Sequence, residues 1–358
     1  MAVEENNEIH KVYYNRMDVV KFILSICVAA FHTWLLRSDM AFTSSYLFKY
    51  SCDLVVPFFF IAMGYLTLKN VDLKSAAAVE EKILITAVRF LKMYIFGTVV
   101  FLPVTVWDLM RSKIGWFKAA MVFIRNVIFM GENQYSWPLW FLLSAAYAMF
   151  FLYFLIRILH LKQKGILISW VFVLLWCLLI EYIGVIPSEA FILQGFRFIF
   201  PGSKIFGGTL FVPMGVLLIK SRANMEAFMS KKISNVMLLG LVLNFLAAGI
   251  LRPRLRLLLV PFGVIPVFIW CLKPYRVSPS CCKFMRLSSV IIYATHMFWY
   301  VLYTALVYHE IGHSGIDVFL VSLAGSLLCS VLIFFWNGKK QSARQMPAVS
   351  DHTDQEKA

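Results

Sequence analysis

Charged residues are scarce in this chain of 358 residues. Asp, Glu, Lys and Arg make up 15% of it, against 61% hydrophobic residues. A soluble domain is about half apolar, so water is not the main solvent for this surface. Acidic residues are scarcer still, 19 against 34 Lys and Arg, which leaves a net charge of +15. In a soluble protein that excess suggests nucleic acid. Here the basic residues sit in short runs between apolar segments and form no single soluble face, so nucleic-acid binding is set aside. The seven cysteines form no metal-type CxxC pairs and no secreted framework, which leaves free thiols and no expected metal site. The short, evenly spaced strands of a transmembrane barrel are missing. So is any internal repeat, which removes support for a transporter built from two similar halves. The N-terminus "MAVEENNEIHK" lacks a small-residue cleavage site, so the first apolar segment is expected to stay.

What is present is a series of long apolar runs. About 20 such residues cross ~30 Å of hydrocarbon as a helix. The runs fall near 17–37, 51–69, 84–106, 139–157, 166–186, 205–219, 233–250, 257–272, 288–308 and 317–336. They predict an all-α, polytopic membrane bundle of about ten transmembrane helices. Lys and Arg are concentrated in alternate connecting segments, which predicts a cytoplasmic-membrane protein with both termini inside. Arg111, Lys113, Lys118, Arg125 and the outer "RPRLR" at 252–256 run against that bias. The segment near 114–130 is interrupted by Lys118 and Arg125, and its apolar residues recur at helical spacing. It reads as an outer amphipathic helix at the interface. Residues 1–12 form a polar cytoplasmic tail, 13–337 the membrane domain, and 338–358 a disordered cytoplasmic tail.

Several polar side chains sit where lipid would penalise them. On the first span Asp18, Lys21, Ser25 and His32 fall within about 60° of one another at 100° per residue. Such a stripe must face the bundle interior or a wet cavity. His32 is then either a packing hydrogen bond or a functional group. It lies about 24 Å along the helix from Arg16 at 1.5 Å per residue, toward the outer leaflet and too far from Asp18 to be oriented by it. Asp53, Glu181, Trp140 and Arg197 fall at a similar level. Arg89 and Lys92, three apart on the third span, either snorkel to the interface or form a cationic mouth for an anionic cytosolic ligand. Ser289, Tyr293, His296 and Tyr300 share one face of the ninth span, where His296 is packing glue or part of a cavity. Asn244 reads as interhelical glue.

The order of these residues resembles the acyltransferase-3 family of bacterial integral-membrane acyltransferases. Arg16-x-Asp18 followed by His32 is similar to its first-span signature, and "VPFFFIAMGYL" (56–66) to its second-span pattern. Arg89-x-x-Lys92 stands in the place of its Arg-x-x-Arg, "WPLWFLLSAAY" of its Trp-Phe-Leu segment, and "IYATH" of its late Tyr-x-x-His. The motifs keep the family order from residue 13 to about 337. Met63 replaces the usual Ser before Gly64, and Lys92 replaces an Arg, which loses bidentate geometry. The fourth span lacks the Glu of the "WSLSVE" version, so that subgroup's acceptor chemistry is not carried over. No hydrolase-like domain is expected after the last span.

The resemblance implies transfer of an acyl group, commonly acetyl, from cytosolic acyl-CoA to a hydroxyl of a cell-envelope glycan or related, lipid-linked acceptor. Acetyl-CoA is then a donor substrate and no bound cofactor is expected. It implies His32 as the essential histidine, and Arg89 and Lys92, grouped with Arg16, as the acyl-CoA path. A neutral imidazole in a partly dry cavity suits a general base, and Asp53 or Glu181 would fix its tautomer. Trp140, Arg197, Tyr293 and His296 are the candidate cavity or acceptor residues. Two rivals stand beside this reading: a transporter or flippase for an envelope precursor, using the same charges as a substrate path, and a structural or sensor protein whose histidines are packing glue.

Overall fold

The computed structural model describes residues 14–35, 45–111, 115–132, 135–160, 163–184, 191–200, 203–220, 231–251, 253–273, 275–309 and 312–345. Among them every regular element is helical and there is no strand. In chain order these are α1 (Asn15–Thr33), α2 (Tyr46–Leu68), α3 (Ala76–Arg111), α4 (Trp116–Arg125), α5 (Leu139–Tyr153), α6 (Gln163–Ile183), α7 (Phe191–Ile199), α8 (Gly207–Lys220), α9 (Lys231–Ile250), α10 (Val260–Cys271), α11 (Pro279–Val307) and α12 (Ile316–Gln345). Helix starts follow capping chemistry, because the first N–H groups of a helix have no partner within it. Ser45 accepts from Phe48 N at 3.2 Å, and Ser278 caps α11 by accepting from Cys281 N at 3.3 Å, with Pro279 in the first helical position.

Among the described residues the expected count of about ten spans is not confirmed. Six described helices are long and apolar enough to cross a membrane: Tyr46–Leu68, Ala76–Arg111, Leu139–Ile158, Lys164–Ile183, Pro279–Val307 and Ile316–Asn337. A seventh is added if Ile192–Ile199 and Lys204–Ile219, bent by 51°, count as one span. The shortfall has physical causes. Helix α1 carries Arg16, Asp18 and Lys21 within its 19 residues. Val236–Ile250 and Arg256–Cys271 are apolar but short, and the run near 205–219 is one arm of the bent pair. Boundaries shift as well. The first helix stops at Thr33, not near 37, and the third runs from Ala76 to Arg111. The segment near 114–130 divides into α4 and a π turn, Asn126–Met130. Helix α12 continues through Gln345, into the stretch expected to be disordered. The tails at 1–12 and 346–358 lie outside the described residues.

The helices form two compact units, Met1–Val20 with Leu35–Arg276, and Lys21–Trp34 with Val277–Ala358. In the first, α2 and α8 approach so closely that only glycine fits at their contact. A Cβ on Gly64 would strike the Val212 carbonyl, and one on Gly215 would strike the Ile61 carbonyl. Small residues at a crossing let backbones meet in lipid, where packing drives association. Ser144 of α5 stitches the start of α8, donating to Ile205 O at 2.7 Å and accepting from Gly208 N at 2.9 Å. Asn244 of α9 accepts from Tyr50 Oη at 2.6 Å and donates to Leu259 O at 2.9 Å, the glue its position suggested. The π turn after α4 is clasped by two tyrosines. Tyr94 donates to Val127 O at 2.6 Å and Tyr147 to Ile128 O at 2.7 Å. Gly131, at φ 69°, then turns the chain against Trp140, where a Cβ would come within 2.7 Å of Cα.

The second unit is built on the antiparallel pair α11 and α12. Ser322, Ser326 and Ser330 are fully buried along α12, and Thr295 donates to Ser326 Oγ at 3.0 Å. The Trp299 indole lies over Gly325, where a side chain would collide with it. The connecting end is tied by Tyr308, which donates to Asp317 Oδ2 at 2.6 Å. That bond pushes the Tyr308 hydroxyl up to about 12. Exposed Leu, Ile and Phe on α3, α6, α9 and α12 supply the surface a bilayer covers.

Candidate active site

In the first unit a cavity of about 490 Å³ is lined by Asp53 of α2, Trp140 of α5, Glu181 of α6, and Ser203, Lys204 and Arg256 from the turns before α8 and α10. Its apolar walls are Phe60, Leu210, Phe211 and Val260. Two carboxylates face two cations, so the lining carries no net charge. Each charge is held differently. Glu181 Oε1 accepts from Ser203 N at 2.9 Å and Ser203 Oγ at 2.8 Å. Lys204 Nζ lies 2.5 Å from Glu132 Oε2 and 4.7 Å from the centre of the Trp140 ring. Arg256 is buried, and its Nε donates to Ala248 O at 2.9 Å near the end of α9, where a cation suits the helix dipole. Its guanidinium shares the cavity lining with the Asp53 carboxylate.

Asp53, Glu181 and Trp140 therefore meet as their common level suggested. Arg197 is not among the lining residues. It donates from Nε to Ile183 O at 3.1 Å, at the end of α6. Arg256, Lys204, Ser203 and Glu132 escaped the sequence reading. One signal was available: "RPRLR" at 252–256 placed positive charge on the side where the bias disfavours it.

Arg16 is clamped in an aromatic cage. Its Cζ lies 4.4 Å from the Trp270 ring centre and 5.3 Å from that of Tyr275, and Nη1 donates to Trp270 O at 3.2 Å. Trp270 is in the last turn of α10, so Arg16 satisfies a terminal carbonyl there. Arg89 and Lys92 are exposed and share their face of α3 with exposed Ile85, Ile95 and Phe96. Arg89 lies over the Phe90 ring at 5.6 Å.

The polar stripe of α1 turns inward. Asp18 and Ser25 are buried, while Lys21 and His32 are half-buried. In the second unit the imidazole of His32 lies beside that of His296, with ring centres 5.6 Å apart and planes at 26°. His296 is fully buried. Its Nδ1 sits 2.8 Å from Ile292 O, and its Nε2 has no hydrogen-bond partner among the described residues. The Tyr293 ring is 6.4 Å from it, at 57°. A neutral imidazole can take a proton from a hydroxyl, so His32, the less buried of the two, has the chemical means for acid–base work.

The chain matches the acyltransferase-3 family, described as an acyltransferase domain, over residues 14–335, and belongs to that family. No curated protein and no solved structure matches it significantly. Its apolar helices and its family make it a multi-pass membrane acyltransferase.

Proposed function

We propose that this acyltransferase moves an acetyl group from cytosolic acetyl-CoA to a hydroxyl of a cell-envelope glycan or its lipid-linked precursor. It would do so in the cytoplasmic membrane, with both termini inside. The observation that carries the reading is His32, an imidazole turned inward on an apolar helix and neighboured by a second buried imidazole. A membrane helix retains such a group at a cost, and general-base catalysis repays it with about 10²- to 10⁴-fold in rate.

In this mechanism a bare nitrogen of His32 takes the proton of the acceptor hydroxyl as its oxygen attacks the thioester carbonyl. The tetrahedral intermediate collapses with loss of the C–S bond. The proton then passes from His32 to the departing thiolate, giving CoA thiol and an O-acyl ester. The cavity of the first unit has the chemistry of a sugar-binding pocket. Carboxylates accept from sugar hydroxyls, Arg256 and Lys204 donate to them, and the Trp140 face offers an apolar surface to a pyranose ring. Its balanced charge favours a neutral sugar over the phosphates of CoA. Arg89 and Lys92 are the candidates for those phosphates, being exposed and cationic.

The test is direct. Purified protein is incubated with radiolabelled acetyl-CoA and candidate envelope glycans, and label transfer is followed for the wild type and for His32→Gln. Transfer by the wild type and its loss in the variant is the expected outcome. A wild type that moves glycan or precursor across vesicles without consuming acetyl-CoA would overturn the reading.

A further inference from the structure

A general base must present a bare nitrogen to its substrate, so its second nitrogen carries the proton and needs an acceptor. The sequence offered carboxylates for that task. The ring that the structure places beside His32 is another imidazole, and its hydrogen bonding defines what it can do. A backbone carbonyl only accepts, so the 2.8 Å contact with Ile292 O puts a proton on Nδ1 of His296. A charge on a fully buried imidazole is costly, so the ring is neutral and Nε2 holds a lone pair. That lone pair is buried without a partner among the described residues. An orphaned buried acceptor is costly, which calls for an explanation.

We infer that His296 is the positioning residue for His32: its Nε2 accepts a hydrogen bond from the ring N–H of His32 and fixes the tautomer that presents the other nitrogen to the acceptor hydroxyl. The inference rests on the acyl-transfer reading above. Two imidazoles joined N–H···N have ring centres about 5 Å apart, from a ~2.9 Å donor–acceptor distance and the two ring radii. The two rings are stacked, with centres 5.6 Å apart and planes at 26°, so His32 has to turn its ring N–H toward Nε2 to close the bond. Catalytic hydrogen bonds are often long without substrate and tighten when it binds. His296 differs from a carboxylate in one respect that matters. It orients the base without adding negative charge to a dry site, so it asks for no counter-ion within the helices.

The test separates the acceptor from the bulk of the ring. His296→Asn keeps an amide N–H for the Ile292 carbonyl but has nothing at the place of Nε2, whereas His296→Gln reaches that place with its amide. With melting temperatures matched to the wild type, the Asn variant should lose about 10- to 100-fold in kcat, the scale of a lost orienting partner. KM for acetyl-CoA and for the glycan should be unchanged. The Gln variant should recover most of the lost rate. Independently of activity, ¹⁵N-histidine NMR of the full chain should show His296 protonated at Nδ1 and bare at Nε2, with the His32 resonances displaced in the Asn variant. A folded Asn variant at wild-type kcat, or a His296 protonated at Nε2, would overturn the assignment. If His32→Gln itself transfers acyl groups normally, the general-base reading fails instead. Loss in His32→Gln without loss in His296→Asn fails the His296 assignment alone.

Discussion

The first unit lines its cavity with ionisable side chains, and the second sets two imidazoles side by side. Around the cavity, Asp53 and Lys204 are exposed, Glu181 is half-buried, and buried Arg256 is anchored to a carbonyl. Around α11, His296 is fully buried and bonded to its own backbone. Ions are tolerated in lipid when they face an opposite charge or a wet cavity, and the first unit supplies both. A neutral imidazole needs neither, so it can sit deeper. Under the proposed function, recognition by charge and proton transfer set different burial requirements, which this chain would meet in different parts.

The strongest way to break that contrast is to remove the base. His32→Gln keeps a donor and an acceptor at similar volume but cannot take a proton at neutral pH. Acyl transfer should fall by at least about a hundredfold, while circular dichroism and melting temperature stay near wild type. A well-folded variant with a near-normal rate would make the imidazole pair structural.

Removing the buried cation of the cavity comes next. Arg256→Ala leaves Asp53 without its opposite charge, and a lost charge-assisted contact is worth ~1.5–3 kcal/mol. KM for the glycan should rise by about ten- to a hundredfold on that scale, with KM for acetyl-CoA unchanged. A matching rise for acetyl-CoA would place the donor in this cavity.

A smaller effect belongs to the exposed pair on α3. Arg89→Ala should weaken acetyl-CoA binding about fivefold, roughly 1 kcal/mol for a screened contact, and added salt should mimic part of it. Unchanged affinity by calorimetry would assign Arg89 and Lys92 to snorkelling.

The smallest change is expected at the rim. Lys204 is partly exposed where it meets Glu132, so Glu132→Gln should alter stability by less than about 1 kcal/mol. The useful measurement is glycan KM. A fall would mean that the freed Lys204 helps the acceptor, and no change would confine the ion pair to holding the turn at Gly131.

Several of these groups were legible in the sequence because lipid makes polar residues conspicuous. His32 stood out as an imidazole on an apolar helix, and its stripe does turn inward. Asn244 stood out in the same way and bridges α2 to the turn before α10. Arg16 was equally visible, yet its cage of Trp270 and Tyr275 was not, since those rings arrive from more than 250 positions away. Arg256 showed itself only as a violation of the charge bias.

What the sequence determined alone was helicity, a membrane setting and family membership, because apolar runs, sparse charge and motif order are properties of neighbours along the chain. Tertiary structure decided which charges share a cavity, which spans bend or fall short, and which ring lies beside His32. Those outcomes depend on where distant helices meet. The Gly64 and Gly215 crossing and the α11–α12 serine contact set that geometry, and no local periodicity encodes it.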